Sequence, residues 1–340
     1  MPDRTPDTKK RTTIKDVARA AGVSPGLVSI VLNDIPGASD ANRERVRQVA
    51  RDLGYQPDAR ASLLRRRHAN LIGVSFFVQS AFHGDLLPGV YASAETAGYE
   101  VALSGWTAER PEESAIRALL GLRCDALIIL GAELTEPALA ELDADVPTVV
   151  VGRRLVGPVA DNIHTDDGIG MRLAVEHLAS LGHRDIAHVD GGRHNVKGED
   201  RVAGYHAAMT ALGLADWVRV IPGGQTVEAG ADAGTYLLEV ERRPSAIVAY
   251  DDDCAWGIMA VLQSAGVHVP EQISVVGYDG SRMSRLVPLA SMTTVRQEAE
   301  TLAKLAVDRA VERVENVVTE HEEIILRPTL TVGSSTAPVA

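Results

Sequence analysis

From residue 71 onward the chain alternates short apolar runs with stretches of helical periodicity. This alternation restricts the fold more than any other feature of the sequence. Strand-like runs read at 71–78, 99–104, 126–130, 148–151, 186–189, 218–221, 246–250 and 274–278, with helical patterns such as 87–97, 112–122, 170–181, 203–212 and 255–265 between them. Runs that are apolar throughout are buried on both faces, and strands separated by a helix pair in parallel. The expected fold is therefore α/β, with doubly wound parallel sheets. A division near 161–166 gives two lobes, the first about 71–164 and 294–318, the second about 165–293 and 319–333. In this reading the helical pattern at 294–314 returns to the first lobe, and 323–332 supplies a late strand to the second.

The residues before this region have a different pattern. Thr13-Ile14-Lys15-Asp16 reads as a capping box opening a helix, with apolar Ile14, Val17, Ala18 and Ala21 at helical spacing. Gly22 suits the left-handed stop, and Ser24 can cap a second helix with Pro25 at its first position. Val28, Val31 and Leu32 give that helix an apolar face. A third helix begins near Ser39, carries Val46, Val49, Ala50 and Leu53 inward, and ends at Gly54. Two short helices joined through Gly22 and Val23 have the punctuation of a helix-turn-helix. Residues 1–57 thus form a headpiece. After Pro57, residues 58–70 form a connector rich in Ala and Arg, and 71–340 form the lobed domain.

Charge separates the same regions. The 340-residue chain has a net charge of −12, yet residues 1–68 hold 14 basic and 8 acidic residues, leaving +6 there and −18 in the remainder. A small basic head on an acidic body implies that only the head meets a polyanion. Arg43, Arg45, Arg47 and Arg51 fall on the third helix, and the Ser24-capped turn can point its N–H groups at phosphates and base edges in a major groove. No apolar run approaches the ~18 residues of a membrane span, and the polar amino terminus lacks a signal peptide, so a soluble cytoplasmic protein is expected, with no membrane partner. Cys124 and Cys254 have neither disulfide-framework nor metal-ligand spacing. His177, His183 and His188 also lack ligand spacing, Gly191-Gly192 is too short for a dinucleotide fingerprint, and no nucleophile elbow is present. Catalysis, a metal and a cofactor are all unsupported.

The run from Thr13 to Ser24, then Val28-Ser29, Val31-Leu32-Asn33, Arg43-Glu44-Arg45-Val46 and Leu53-Gly54-Tyr55-Gln56-Pro57, closely resembles the head of the lactose-repressor (LacI/GalR) family. The likeness continues through Glu176-His177-Leu178, Leu181-Gly182-His183, Arg201-Val202-Ala203-Gly204-Tyr205, the stretch from Ile273 to Asp279, and Thr293-Thr294-Val295-Arg296-Gln297. It implies a transcriptional regulator, most simply a repressor, that acts as a homodimer on partly palindromic double-stranded operator DNA. Ser24, Pro25, Gly26, Ser29, Ile30 and Asn33, with Ile14, Lys15, Ser39, Asn42 and Tyr55, fall on DNA-contacting positions. Many members carry arginine where Ile30 stands, so bidentate guanine reading is lost there while contact with a thymine methyl remains. In the connector, Leu64 falls on the family's minor-groove wedge and Ala61 on the small residue that lets two hinge helices approach. No leucine heptad follows Thr331, which implies a dimer and not a tetramer.

The same resemblance gives the lobes a periplasmic-binding-protein-like form, with a small-molecule effector held between them at strand carboxyl ends. The candidates are Phe77, Phe82 and His83 from the first lobe, Asp166 near the crossover, and Arg201, Asp251 and Asp279 from the second. Arg201 and Asp279 match effector contacts in many members, and neither shows a packing role in the sequence, so Arg201→Ala is expected to abolish the effector response while sparing operator affinity. Asp251 stands where the family usually has an amide. It accepts hydroxyl hydrogen bonds but lacks amide donors, which favours a sugar, polyol or cation over a phosphorylated or carboxylated effector. The rival readings are a sugar-binding transport component and a regulator that takes a purine-type co-repressor.

Overall fold

A computed structural model describes residues 12–32, 36–55, 69–192, 196–286 and 291–339. The chain divides into two compact units, 1–69 and 70–340. In the first, the Asp16 carboxylate accepts from the Thr13 backbone N–H at 3.0 Å and from its hydroxyl at 2.6 Å, opening α1 (Ile14–Ala21). Gly22, at φ 67°, ends it. Ser24 Oγ accepts from Leu27 N–H at 3.2 Å at the start of α2 (Pro25–Leu32), and α3 (Asp40–Asp52) follows. Val17, Ala18, Ala21, Val28, Val31, Val46 and Ala50 bury together as the core of this unit.

The second unit opens with β1 (Leu71–Phe77), α4 (Ala81–Ala97), β2 (Glu100–Trp106), α5 (Glu112–Gly121), β3 (Ala126–Leu130), α6 (Glu136–Asp145), β4 (Thr148–Val151) and β5 (Asp161–Thr165). It continues with α7 (Asp167–Ser180), β6 (Ile186–Val189), α8 (Val196–Ala211), β7 (Arg219–Ile221), α9 (Val227–Glu239), β8 (Ala246–Val248), α10 (Asp252–Ser264), β9 (Ser274–Asp279) and α11 (Arg282–Leu286). The last elements are β10 (Thr293–Arg296), α12 (Ala299–Val314), β11 (Glu323–Leu326) and β12 (Thr329–Thr331).

Two six-stranded sheets result, ordered β11-β5-β4-β3-β1-β2 and β12-β10-β9-β8-β6-β7, and every pairing is parallel except the antiparallel β10–β12. Helices cover both faces: Leu302, Ala306, Val307 and Ala310 of α12 join Ile72, Val74, Ile128 and Val149 in the first lobe's core. The backbone passes between the lobes after β5, after β10, and between β11 and β12.

Two lobe boundaries differ from the sequence reading, as does the start of one helix. Residues 323–326 pair with β5 in the first sheet, so only Thr329–Thr331 of the late segment joins the second. Thr293–Arg296 is a strand of the second sheet, and the return to the first lobe comes after it. Strand β5 escaped a search for apolar runs because four of its five residues are polar. Asp161 is fully buried, yet it accepts from Arg309 Nε and Arg313 Nη1, each at 2.5 Å. Helix α4 starts at Ala81 rather than near Leu87, because Ser80 Oγ caps it by accepting from His83 N–H at 3.3 Å.

Candidate functional site

In the first unit, Lys15, Ser24, Pro25, Gly26 and Ser39 are exposed, as a polyanion-facing surface requires. Ile14, Ser29, Ile30, Asn42 and Tyr55 are half-buried, and Ile14 and Tyr55 also pack against the three-helix core. Asn33, Ala61 and Leu64 lie outside the described residues, as does most of the 58–70 connector.

In the second unit, the carboxyl ends of β1 and β4 face those of β8 and β9 across a cleft lined by Ser80, Phe82, His83, Leu86, Val151, Gly152, Arg201, Gln225, Tyr250, Asp251, Asp279 and Gln297. The cleft encloses a cavity of about 30 Å³.

Arg201 is the hub of this cleft. It is 5% exposed, lies over the rings of Tyr250 and Tyr278 at 4.6 and 3.8 Å, and spends its fork on protein partners. Its Nε donates to Asp167 at 3.1 Å and Nη1 to the Tyr250 carbonyl at 2.5 Å, while Nη2 stands 3.7 Å from Asp279. Gln297 Nε2 donates to Asp279 Oδ1 at 2.7 Å. Burial pushes the Asp279 carboxyl up, with Arg201 pulling part of the way back. Asp279 also holds φ at 104°, a conformation strained for a residue with a Cβ, and such strain concentrates at ligand sites.

Three successive aspartates divide the other side. Asp251 caps α10, accepting from Cys254 N–H at 2.7 Å, and burial pushes its carboxyl up to about 7. Asp252, pushed up to about 6 mainly by burial, accepts from Ser281 N–H at 2.7 Å and from the Thr294 hydroxyl at 2.6 Å. Asp253 reaches the opposite lobe and accepts from Ala81 N–H at 2.9 Å. Facing them, His83 Nδ1 accepts from Phe77 N–H at 3.1 Å, which fixes the ring proton on Nε2.

Five of the seven cleft candidates therefore gather: Phe82, His83, Arg201, Asp251 and Asp279. Phe77 does not line the cleft, because its ring turns away and stacks on Trp106 at a centroid distance of 4.5 Å. Asp166 does not line it either; its carboxylate is committed to capping α7, accepting from Ile169 N–H at 2.9 Å. Arg201 has a packing role after all, between two tyrosine rings. The sequence reading passed over Tyr250, adjacent to Asp251, and Gln297, the end of the quoted Thr293–Gln297 motif. It also passed over Ser80 and Gln225, for which the sequence offers no comparable signal.

His177, His183 and His188 hold structure. His183 bridges Ser245, Ser274 and the Ala337 carbonyl, and His177 meets Thr336. Buried His188 is pushed down to about 4 by burial. Among the described residues, no group of three or more His, Cys, Asp or Glu is arranged to hold a metal ion.

A helix-turn-helix head and a two-lobed ligand cleft together define a ligand-responsive DNA-binding regulator. The domain family described as bacterial regulatory proteins, lacI family, matches residues 13–58, and the periplasmic binding protein-like domain matches 175–336. The HTH-type transcriptional regulator GalR of Escherichia coli (strain K12) is 34% identical over 323 residues, covering 94% of each chain. The transcriptional repressor PurR of Vibrio atlanticus (strain LGP32) is 32% identical, covering 94% of this chain and 98% of that one. Among solved structures, the lac repressor dimer bound to operator and the anti-inducer ONPF matches with a TM-score of 0.82 at 28% identity, covering 96% of this chain and 100% of that one. The chain belongs to the LacI family of DNA-binding transcriptional regulators.

Proposed function

We propose that this protein is a homodimeric repressor of carbohydrate or related catabolic genes, acting in the cytoplasm and released from its operator by a neutral, polyhydroxylated effector. The observation that carries the effector class is the charge of the cleft. Arg201 is already committed to Asp167, Asp279 and a backbone carbonyl, while Asp251 and Asp279 remain as buried acceptors beside it. Hydroxyl groups can donate to those carboxyls, and the His83 Nε2–H can meet an ether or hydroxyl oxygen. A phosphate or carboxylate would meet the excess of Asp167, Asp251 and Asp279 over the single Arg201 guanidinium in a desolvated site. Phe82 and Leu86 supply an apolar wall for the face of a sugar ring.

In the head, Ser24, Pro25, Gly26, Ser29, Ile30 and Asn33 would read bases, Leu64 would form the wedge with Ala61 letting two hinge helices approach, and Arg43, Arg45, Arg47 and Arg51 would neutralise phosphates. The test is a thermal-shift panel of neutral sugars and polyols, their phosphates, sugar acids, nucleosides and purine bases. The hits then enter gel shifts on a selected operator. Neutral polyols are expected to raise Tm and release DNA. Stabilisation by phosphates or sugar acids alone would overturn the effector class, and a purine base that tightens DNA binding would support the co-repressor reading. Operator affinity is expected to fall linearly on a log–log plot against salt, with a slope near −0.9 per phosphate neutralised.

A further inference from the structure

The two lobes exchange a pair of reciprocal hydrogen bonds outside the effector cavity. Asp253, in the first turn of α10 in the second lobe, accepts from Ala81 N–H at the start of α4 in the first lobe, at 2.9 Å. Asp85 of α4 returns the contact, accepting from Arg282 N–H in the second lobe at 2.6 Å. Both donors are backbone N–H groups at helix starts, where no carbonyl of the same helix can serve them. The serving oxygens are carboxylates, which make stronger acceptors than neutral groups.

The segment before Arg282 shows that the arrangement is specific. Gly280 N–H is taken by Thr294 Oγ1 and Ser281 N–H by Asp252, both within the second lobe, whereas the next N–H in sequence is served from across the cleft. Neither Asp85 nor Asp253 lines the effector cavity. Each nevertheless sits within three residues of a side chain that does: Asp253 follows Asp251 by two, and Asp85 follows Phe82 by three. Opening the lobes breaks both bonds at once and leaves their two carboxylates and two backbone N–H groups to be rehydrated.

We propose that Asp85 and Asp253 form a two-point latch that holds the lobes closed, making them positioning residues that set the open–closed balance without touching effector. The latch adds to the cleft described above, but it does not depend on which molecule fills that cleft. Two independent caps would stabilise only their own helix starts. A latch couples them, so loss of one bond must loosen the other on the far side of the molecule.

The experiment is amide hydrogen exchange on the full-length protein without effector, comparing wild type with Asp253→Ala and Asp85→Ala. The latch predicts that Asp253→Ala speeds exchange at Arg282, and Asp85→Ala at Ala81, by about 5-fold or more. Protection in β3 and β9 should stay unchanged in both variants. Acceleration confined to each variant's own partner amide would overturn the proposal. If an alanine variant loses the protected β3 and β9 amides, Asp253→Asn and Asp85→Asn carry the comparison at smaller amplitude, because each replaces the carboxylate with a weaker, neutral acceptor, and the distant amide must still speed up along with the near one. No effector is added, so a failed sugar panel and a failed latch are separate results.

Discussion

Removing the Arg201 guanidinium would leave Asp167 and Asp279 facing a buried space without their counter-charge, and the rings of Tyr250 and Tyr278 without the cation between them. Breaking a buried pair from one side costs about 3–5 kcal/mol. Arg201→Ala is therefore expected to lower the urea midpoint substantially and so to confound any loss of effector response with loss of fold. Arg201→Lys keeps the charge without the fork and is the cleaner probe of response. The acidic triplet gives a second expectation. Burial raises the proton affinity of Asp251 and Asp252 above the ordinary carboxylate value of 3.8, to about 7 and about 6. Their contribution to stability is thus fully present below pH 3.8, and it is lost as pH rises through about 6 and then about 7. Unfolding titrations from acid to neutral pH should show Asp251→Asn gaining on wild type as pH climbs; parallel curves would refute the assignment. Motif residues such as Arg201 and Asp279 were legible because their neighbours in sequence are distinctive. The rotation of Phe77 onto Trp106 and the strained backbone of Asp279 were not, since both are set by elements distant in sequence.

Among the elements, those built from apolar runs were readable, and those held by polar bonds were not. Strand β5 is the clearest case. Asn162 serves the Leu155 N–H and the carbonyls of Val150 and Arg153, and His164 pairs with Glu323 of β11 at 2.9 Å. Asp161 draws together Arg309 and Arg313 of α12 and the Glu322 N–H before β11. Polar side chains here do what apolar burial does elsewhere, so an apolar-run criterion misses the strand while a three-element ion network fixes it. Asp161→Ala should destabilise the 70–340 unit by about 3–5 kcal/mol, because two arginines lose a fully buried partner. Chemical denaturation followed by tryptophan fluorescence measures this. A change within about 0.5 kcal/mol, the ordinary surface range, would show the network to be replaceable.

At the scale of the molecule, a two-fold dimer presenting two heads should select half-sites in inverted orientation with fixed spacing. Sedimentation at micromolar concentration is expected to give a dimer, and DNA selection an inverted repeat; a tetramer or a direct repeat would contradict the arrangement. Residues beyond β12 lie along the second lobe, where Ser335 Oγ donates to the Val275 carbonyl at 2.6 Å and Val339 N–H reaches the Leu181 carbonyl at 2.9 Å.

The consecutive aspartates also bear on redesign. Asp251 faces the cavity, Asp252 anchors the Ser281 turn, and Asp253 spans the lobes, so three adjacent codons carry three unrelated duties. Anyone converting this regulator into a biosensor for a different small molecule should keep randomised libraries away from the second and third of these positions. Gln225 and the wall formed by Phe82 and Leu86 are the better places to diversify, because they line the cavity and carry neither the Ser281 turn nor the contact between lobes.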